Sequence, residues 1–244
     1  MPIHATPALE ALHRLRDLVA PRDCGGCGAV VVPGRSLCPG CLRLLDSLAP
    51  VAAEPGSGGP PVTAAGEYTG VLRRCLLAFK EHRRRDLAVP LSRLLARALS
   101  AVGAATAPLL LVPVPPTRRA LRHRGFDHVG LLGRELTRLL PDVRLARVLA
   151  CRSRPDSADL GRAERAQVAQ RSLRALATRV RALRAVTARR PSVRVILIDD
   201  IVTSGATLTA AETALQRSGV PTRGAVTVAA TSRHFPRKTG SSPR

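Results

Sequence analysis

The segment Val195–Thr207 constrains the fold of this chain most strongly, because it joins a buried strand to a helix through a loop of small residues. Four consecutive apolar residues, Val195–Ile198, predict a strand buried on both faces of a parallel sheet. Asp199 and Asp200 follow and are expected to end the strand, and a helix is predicted over Ala206–Arg217. Ligands of α/β sheets bind at the carboxyl ends of strands. The segment therefore predicts a binding site at this point of the chain.

The loop between the strand and the helix has the composition of an anion site. Thr203, Ser204 and Thr207 offer hydroxyl donors, and Gly205 allows the backbone to approach a ligand closely. The amides of the following helix add donors and a favourable dipole. A phosphate suits this loop, whereas the two preceding acids suit the hydroxyls of an attached sugar or a divalent metal. The alternative is a capped helix with two exposed acids and no ligand.

Strand and helix patterns alternate from Val62 to about Thr231, which predicts an α/β domain with a mainly parallel sheet. The predicted strands are Ala65–Tyr68, Leu109–Val114, Val143–Leu149, Val195–Ile198 and Gly224–Ala230. The predicted helices are Val71–Lys80, Asp86–Val102, Val129–Leu140, Arg162–Val186 and Ala206–Arg217.

A basic segment follows the predicted strand Leu109–Val114. Prolines stiffen the chain where it leaves the sheet, and the arginines beyond them supply fixed positive charge that suits a phosphorylated ligand. Gly125 would let a mobile loop close over a substrate. An ordinary basic surface loop is the alternative. The candidate ligand contacts are Val114, Pro115, Arg118 and Arg119, and Arg124 is the candidate catalytic arginine.

Four cysteines near the N-terminus form two CxxC pairs, Cys24 with Cys27 and Cys38 with Cys41. This spacing is typical of a tetrahedral zinc site, and a reducing compartment favours zinc over two disulfides. All four positions are filled by thiolates, so the predicted role of the metal is structural. The two remaining cysteines are predicted to be core residues, namely Cys75 and Cys151.

The net charge of +22 comes almost entirely from arginine, because lysine occurs only at positions 80 and 238. Attraction to nucleic acid or to phosphorylated ligands is one interpretation. An arginine-rich solvated surface, produced in part by GC-rich codons, is the other. Aromatic residues make up 2% of the chain, which argues against a platform on which single-stranded bases stack. His123 and His128 flank the basic segment and are interpreted as ordinary structural residues.

Changes in amino-acid composition along the chain predict four regions. Residues 1–49 hold a short helix, with leucines at positions 9, 12, 15 and 18, and the cysteine cluster. Residues 50–61 are predicted to be a linker rich in Pro and Gly, residues 62–231 the α/β domain, and residues 232–244 a disordered basic tail. No apolar stretch has the length of a membrane helix or a signal peptide. The expectation is a cytoplasmic protein with no membrane span.

The segment Val195–Thr207 resembles the 5-phosphoribosyl 1-diphosphate (PRPP) signature of class I phosphoribosyltransferases. More narrowly, the chain resembles the ComF family, which includes GntX-type proteins. The shared features are Pro113-Val-Pro115, Arg124-Gly-Phe126, Tyr68-x-Gly70, Lys80 and the N-terminal cysteine cluster. Asp127 and His128 stand where that family has Asn and Gln, and its later Gln and Asn positions, expected within 156–171, are not matched.

The resemblance implies a class I phosphoribosyltransferase fold with an N-terminal zinc ribbon. It implies that Asp199 and Asp200 bind the ribose hydroxyls, that Thr203–Thr207 hold the 5′-phosphate, and that PRPP binds with Mg²⁺. It further implies a role in DNA uptake and natural transformation, with single-stranded DNA and proteins of DNA uptake and recombination as candidate partners. The sequence leaves the oligomeric state open. A PRPP sensor without turnover, or an accessory that binds single-stranded DNA, is the alternative class. Salvage of a free base is a weaker third. The remaining candidate PRPP contacts are Ile201, Val202, Ser204, Gly205 and Ala206.

Overall fold

The computed structural model describes residues 23–53, 58–103, 107–151 and 173–231. The strands are β1 Val51–Ala53, β2 Val62–Ala64, β3 Leu109–Pro113, β4 Val143–Leu145, β5 Leu149–Cys151, β6 Leu173–Ala175, β7 Arg194–Val202 and β8 Ala225–Ala230. The helices are α1 Pro39–Asp46, α2 Gly70–Glu81, α3 Ala88–Ala101, α4 Arg118–Arg124, α5 His128–Leu139, α6 Ala177–Arg189 and α7 Ala206–Gln216. A 3₁₀ turn over Arg85–Leu87 precedes α3.

Six of the strands form one sheet in the order β1-β2-β8-β7-β3-β4. Every neighbouring pair is parallel except β1 and β2 at the edge. The predicted α/β class with a mainly parallel sheet is therefore confirmed. Strands β5 and β6 form a separate antiparallel pair. Because β3 and β7 are neighbours, the chain segments that follow them leave the same edge of the sheet.

Helices cover both faces of the six-stranded sheet, as the doubly buried strand β7 requires. Ile196 and Ile198 belong to the core that contains α2, α3 and α5, whereas Val195 and Leu197 belong to the core that contains α6 and α7. Successive residues of a strand point to opposite faces, which explains this alternation. The cysteine-rich segment shares the first core, so it packs as part of the same body.

Three strand and helix predictions were wrong. The strand predicted at Ala65–Tyr68 lies earlier, at β2, because residues 62–64 are the ones paired with β8. The strand predicted over Val143–Leu149 is two strands, since Leu145 ends the pairing with β3 and Leu149 begins the pairing with β6. Within the helix predicted over Arg162–Val186, residues 173–175 form strand β6, and α6 spans Ala177–Arg189.

Three further features differ from expectation around the candidate site. Strand β7 continues through Asp199 and Asp200 to Val202, because its pairing with β8 extends from Leu197 to Val202. The segment predicted as a mobile loop contains helix α4, which Thr117 caps and Gly125 ends with a left-handed φ of 73°. Part of the predicted linker forms edge strand β1.

Some predictions lie outside the described residues. These are the helix predicted within residues 1–22, the centre of the linker at 54–57, the whole segment 156–171, residues 162–172 of the helix predicted over Arg162–Val186, and the tail 232–244. Among the helices that the structure describes, none combines the length and the apolar character needed to cross a membrane.

Candidate functional site

The residues of the predicted phosphate loop surround one small depression at the carboxyl end of β7. Its lining comprises Asp199, every residue from Ile201 to Thr207, and Leu208. The enclosed space is about 20 Å³, which is room for a small group rather than for a whole nucleotide. Thr203 and Ser204 are exposed at its rim, so a ligand can reach the loop from solvent.

Helix α7 begins at this depression, and its N-cap residue leaves the first backbone amides of the helix without a side-chain hydrogen bond. Gly205 occupies the N-cap position with a left-handed φ of 76° and brings no side-chain cap hydrogen bond. Such a backbone conformation favours glycine. Ala206 N lies 3.4 Å from Ser204 Oγ, a long contact with a flexible hydroxyl. The first turn of α7 can therefore present amides and the positive end of the helix dipole to an anion.

Asp199 and Asp200 have different surroundings although they are neighbours in sequence. Asp199 is partly exposed and lines the depression, and its Oδ1 accepts a hydrogen bond of 2.8 Å from the amide of Asp200. Asp200 is 4% exposed and points toward α2 and α5. Its Oδ2 lies 2.9 Å from Lys80 Nζ and 2.8 Å from His128 Nε2. Only the first acid therefore borders the predicted phosphate loop directly.

These surroundings separate the protonation of the two acids. Burial, and then the negative charge of Asp200, raise the pKa of Asp199 well above its usual value. Burial also opposes the ionisation of Asp200, but the adjacent His128 imidazole and Lys80 ammonium hold the pKa of Asp200 below its usual value. The arrangement favours a protonated carboxyl beside a carboxylate, so the pair offers both a hydrogen-bond donor and acceptors.

The end of β3 meets the acid pair, as the strand order requires. Val114 is buried, and its amide donates to the carbonyl of Ile198, the residue before Asp199, at 3.0 Å. Pro115 follows and is partly exposed. The structure therefore brings the two predicted strand ends together.

The three candidate arginines lie on α4. Arg118 and Arg119 are exposed in its first turn, where they are accessible to a charged ligand. The guanidinium of Arg124 instead contacts Glu81 at the end of α2, with Nη2 3.2 Å from Oε1. A direct role for Arg124 at the acid pair would require it to exchange this partner.

Sequence reasoning did not assign two residues that the structure places at the site, Lys80 and His128. The sequence indicates Lys80 only as a match to a family pattern and predicts an ordinary structural role for His128. His128 is 5% exposed, and its ring packs at an angle against Phe79, with 6.5 Å between ring centres. Both residues contact the same carboxylate oxygen, which makes them part of the candidate site.

The four predicted metal ligands are brought together. The Sγ atoms of Cys24, Cys27, Cys38 and Cys41 all lie within 4.8 Å of one another. Cys27 Sγ and Cys38 Sγ are 3.7 Å apart, which agrees with the separation of about 3.8 Å between thiolates at tetrahedral zinc. The four cysteines are therefore close enough to hold a metal such as zinc.

Backbone amides support thiolate formation at Cys24, whereas burial raises the pKa of Cys41. The amides of Gly26 and Cys38 lie 3.4 and 3.3 Å from Cys24 Sγ. Burial acts to raise the pKa of Cys24, but these amide contacts lower it to about 6. A metal binds the thiolate rather than the thiol, so the donor set fits a cation. Cys75 behaves differently, since burial in the shared core raises its pKa to about 12.

Arginines from the α/β body fasten the cysteine-rich segment by binding its carbonyl oxygens. Arg74 of α2 donates to Gly26 O, within the first CxxC pair. Arg84 donates to Asp23 O at 2.7 Å. Arg97 of α3 donates to three carbonyls around the end of α1, those of Leu45, Asp46 and Leu48. The contact of Arg74 connects the cysteine cluster to α2, the helix that also carries Lys80.

Comparison with models of known protein families gave no match to this chain, and no curated protein is significantly similar to it. A function for the site is therefore argued from its own geometry.

Proposed function

We propose that this protein binds PRPP at the carboxyl end of β7 and transfers its phosphoribosyl group, as a ComF-type phosphoribosyltransferase. One observation carries the proposal: a depression lined by the whole segment 201–207 lies directly beside an acid pair. A phosphate and a sugar hydroxyl are the two groups that such a combination binds. PRPP carries both within one small molecule. A role in DNA uptake is part of the proposal and rests on the resemblance to the ComF family alone.

Each part of the site has its own role in the proposed transfer of the phosphoribosyl group. The loop from Thr203 to Thr207 and the first amides of α7 hold the 5′-phosphate. Asp199 and Asp200 bind the ribose hydroxyls, and the negative charge of Asp200 stabilises the positive charge that develops on the ribose. The bond from C1 to the diphosphate breaks, with its electron pair leaving on the diphosphate, as the acceptor forms a new bond to C1. Mg²⁺ bound to the diphosphate would neutralise its charge, and Arg118 and Arg119 lie on the helix that follows β3.

Calorimetric titration of PRPP with and without Mg²⁺ tests the proposal. The double variant Asp199→Ala/Asp200→Asn is expected to lose at least about 100-fold in affinity, because it removes the polar group of Asp199 and the negative charge of Asp200. Alanine is chosen at position 199 because asparagine would keep a hydrogen-bond donor. Asp142→Asn, at an exposed site before β4, is the matched control and should bind PRPP like the wild type. Absence of binding to the folded wild type at millimolar PRPP with Mg²⁺ would refute the proposal.

A second candidate function is the binding of single-stranded nucleic acid, and a different part of the surface favours it. Two adjoining cavities of about 350 and 370 Å³ lie at the amino ends of β7 and β8. Both are lined by Arg194 and Arg223, and Arg184 lines the second. No carboxylate within the described residues is paired with any of these three arginines. Together with the net charge of +22, they offer a surface for phosphodiester groups.

Salt titration of a fluorescent oligodeoxythymidylate tests this second candidate. The triple variant Arg184→Gln/Arg194→Gln/Arg223→Gln should reduce the slope of log affinity against log salt by about 2, since each phosphate contact contributes about 0.7 for a single strand. Arg93→Gln, an exposed arginine on α3, is the matched control and should bind the oligonucleotide like the wild type. No detectable binding to the wild type at low salt would remove this candidate.

A further inference from the structure

Two polar side chains take positions that normally carry apolar residues in buried helix faces. Lys80 lies at four-residue spacing beyond the buried leucines of α2, and His128 lies at the same spacing before those of α5. Residues at this spacing share one face of a helix. The leucines concerned are Leu72 and Leu76 on α2, and Leu132 and Leu136 on α5. Both polar residues are thus directed toward the core, and the sheet residue between them is Asp200.

The contacts of Lys80 and His128 converge on a single atom, Asp200 Oδ2. The side chain of Asp200 is 6% exposed, that of His128 6% and that of Lys80 19%. A carboxylate has two oxygens that can each accept more than one hydrogen bond. Both contacts are ion-pair contacts, because Oδ2 accepts no hydrogen bond of good geometry from the described residues. They therefore hold the group by charge and proximity while its acceptor capacity is not exhausted. His128 Nδ1 is buried and has no hydrogen-bond partner in the described part of the chain, so Nε2 makes the polar contact of this ring.

The rings around His128 limit the positions that it can take. Phe79 packs at an angle against both His128 and Phe126, with ring centres 6.5 and 5.5 Å apart. Phe79 also precedes Lys80 on α2, so the same apolar contacts fix both partners of Asp200. A side chain that is confined in this way loses little further freedom when its neighbour binds a ligand.

We propose that Lys80 and His128 are positioning residues for the ribose of PRPP: they hold the Asp200 carboxylate through Oδ2 and aim its other oxygen at a ribose hydroxyl. This inference rests on the proposed function and adds the residues that make the acid pair competent to bind. Neither residue is expected to touch PRPP itself. The competing explanation is that both residues only pack against the core and neutralise a buried charge.

Two substitutions at His128 separate these explanations, and both are measured on the full chain by calorimetric titration of PRPP with Mg²⁺. Gln can donate a hydrogen bond to Asp200, whereas Leu fills the apolar site without a donor. We expect His128→Gln to stay within about threefold of the wild-type affinity and His128→Leu to lose at least about tenfold. Lys80→Met, which keeps the apolar stem, should also lose about tenfold. His123→Gln, on the exposed face of α4, is the matched control and should bind PRPP like the wild type.

Thermal unfolding of the same variants distinguishes the two roles. If the residues only pack, PRPP affinity should follow the unfolding temperature, whereas a positioning role changes affinity separately from stability. The site is 5% exposed and flanked by aromatic rings, so Leu fills its apolar volume, whereas Gln keeps a donor for the buried Asp200 carboxylate. These two effects oppose each other, so the two variants should unfold at similar temperatures although only His128→Leu binds PRPP more weakly. If affinity instead follows stability, with Leu binding as well as Gln or better, the positioning role is wrong. If the wild type itself fails to bind PRPP, the proposed function fails and this inference fails with it.

Discussion

Substitution of Cys41 by serine is expected to abolish metal binding by the four-cysteine cluster and to lower the temperature of unfolding by about 10 °C. A ligand present at about 1,000 times its dissociation constant stabilises the native state by about 4 kcal/mol. In a domain of this size each kcal/mol corresponds to about 2–4 °C. Cys41 is 4% exposed and lies in the same core as α2 and α3, so loss of the cluster should be felt throughout the fold.

Metal content by mass spectrometry and calorimetric unfolding with and without a chelator measure this effect. The wild type should contain about one zinc ion per chain, and chelation should reproduce the destabilisation of Cys41→Ser. Cys151→Ser is the matched control, because Cys151 lies on β5 away from the four-cysteine cluster and should keep the metal. A metal-free wild type whose unfolding temperature does not respond to zinc would show that the cluster is only a group of thiols.

Metal removal should also weaken PRPP binding, because one helix connects the two sites. Arg74 near the start of α2 binds the carbonyl of Gly26 inside the first CxxC pair, and Lys80 near its end contacts Asp200. Disorder of the metal-free segment would free Arg74 and loosen α2. The structure therefore gives a physical reason for cysteine-rich and α/β segments to occur in one chain.

The sequence predicted the central strands well because strands buried on both faces consist of consecutive apolar residues. Val195–Ile198 alone predicts β7 as such a strand, and the apolar residues of β3 predict it in the same way. The short strands could not be predicted, since their position depends on partners distant in the chain. Val62–Ala64 becomes a strand because it pairs with β8, and the break after Leu145 follows from the pairing of Leu149 with Ala175.

At the candidate site, the sequence predicted the loop but not the surroundings of the two acids. Adjacent acids suggest a shared role. In the structure, however, Asp199 lines the depression, whereas Asp200 contacts Lys80 and His128. A signal was nevertheless present in the sequence. Both Lys80 and His128 continue an apolar stripe at four-residue spacing, and a polar residue in that position needs a buried partner. The partner could be identified only once the helices were placed on the sheet.

Phe79→Ala is expected to lower the free energy of unfolding by about 3–5 kcal/mol, the usual loss when a buried phenylalanine is truncated in a core. Phe79 is fully buried on α2, and its ring contacts Phe126 at 5.5 Å between centres. Urea unfolding of Phe79→Ala should show this loss, and Phe79→Leu a smaller one. Val186→Ala, on the exposed side of α6, should change the stability by no more than about 0.5 kcal/mol.

The effect of Phe79→Ala should extend beyond stability, because the ring packs against His128, one of the two partners of Asp200. Without the ring, His128 loses an aromatic neighbour that limits its position. At temperatures where the variant is still folded, its PRPP affinity should therefore fall, as in His128→Leu. A loss below about 1 kcal/mol, or wild-type affinity in a clearly destabilised protein, would contradict the view that packing at Phe79 holds the acid pair in its binding geometry.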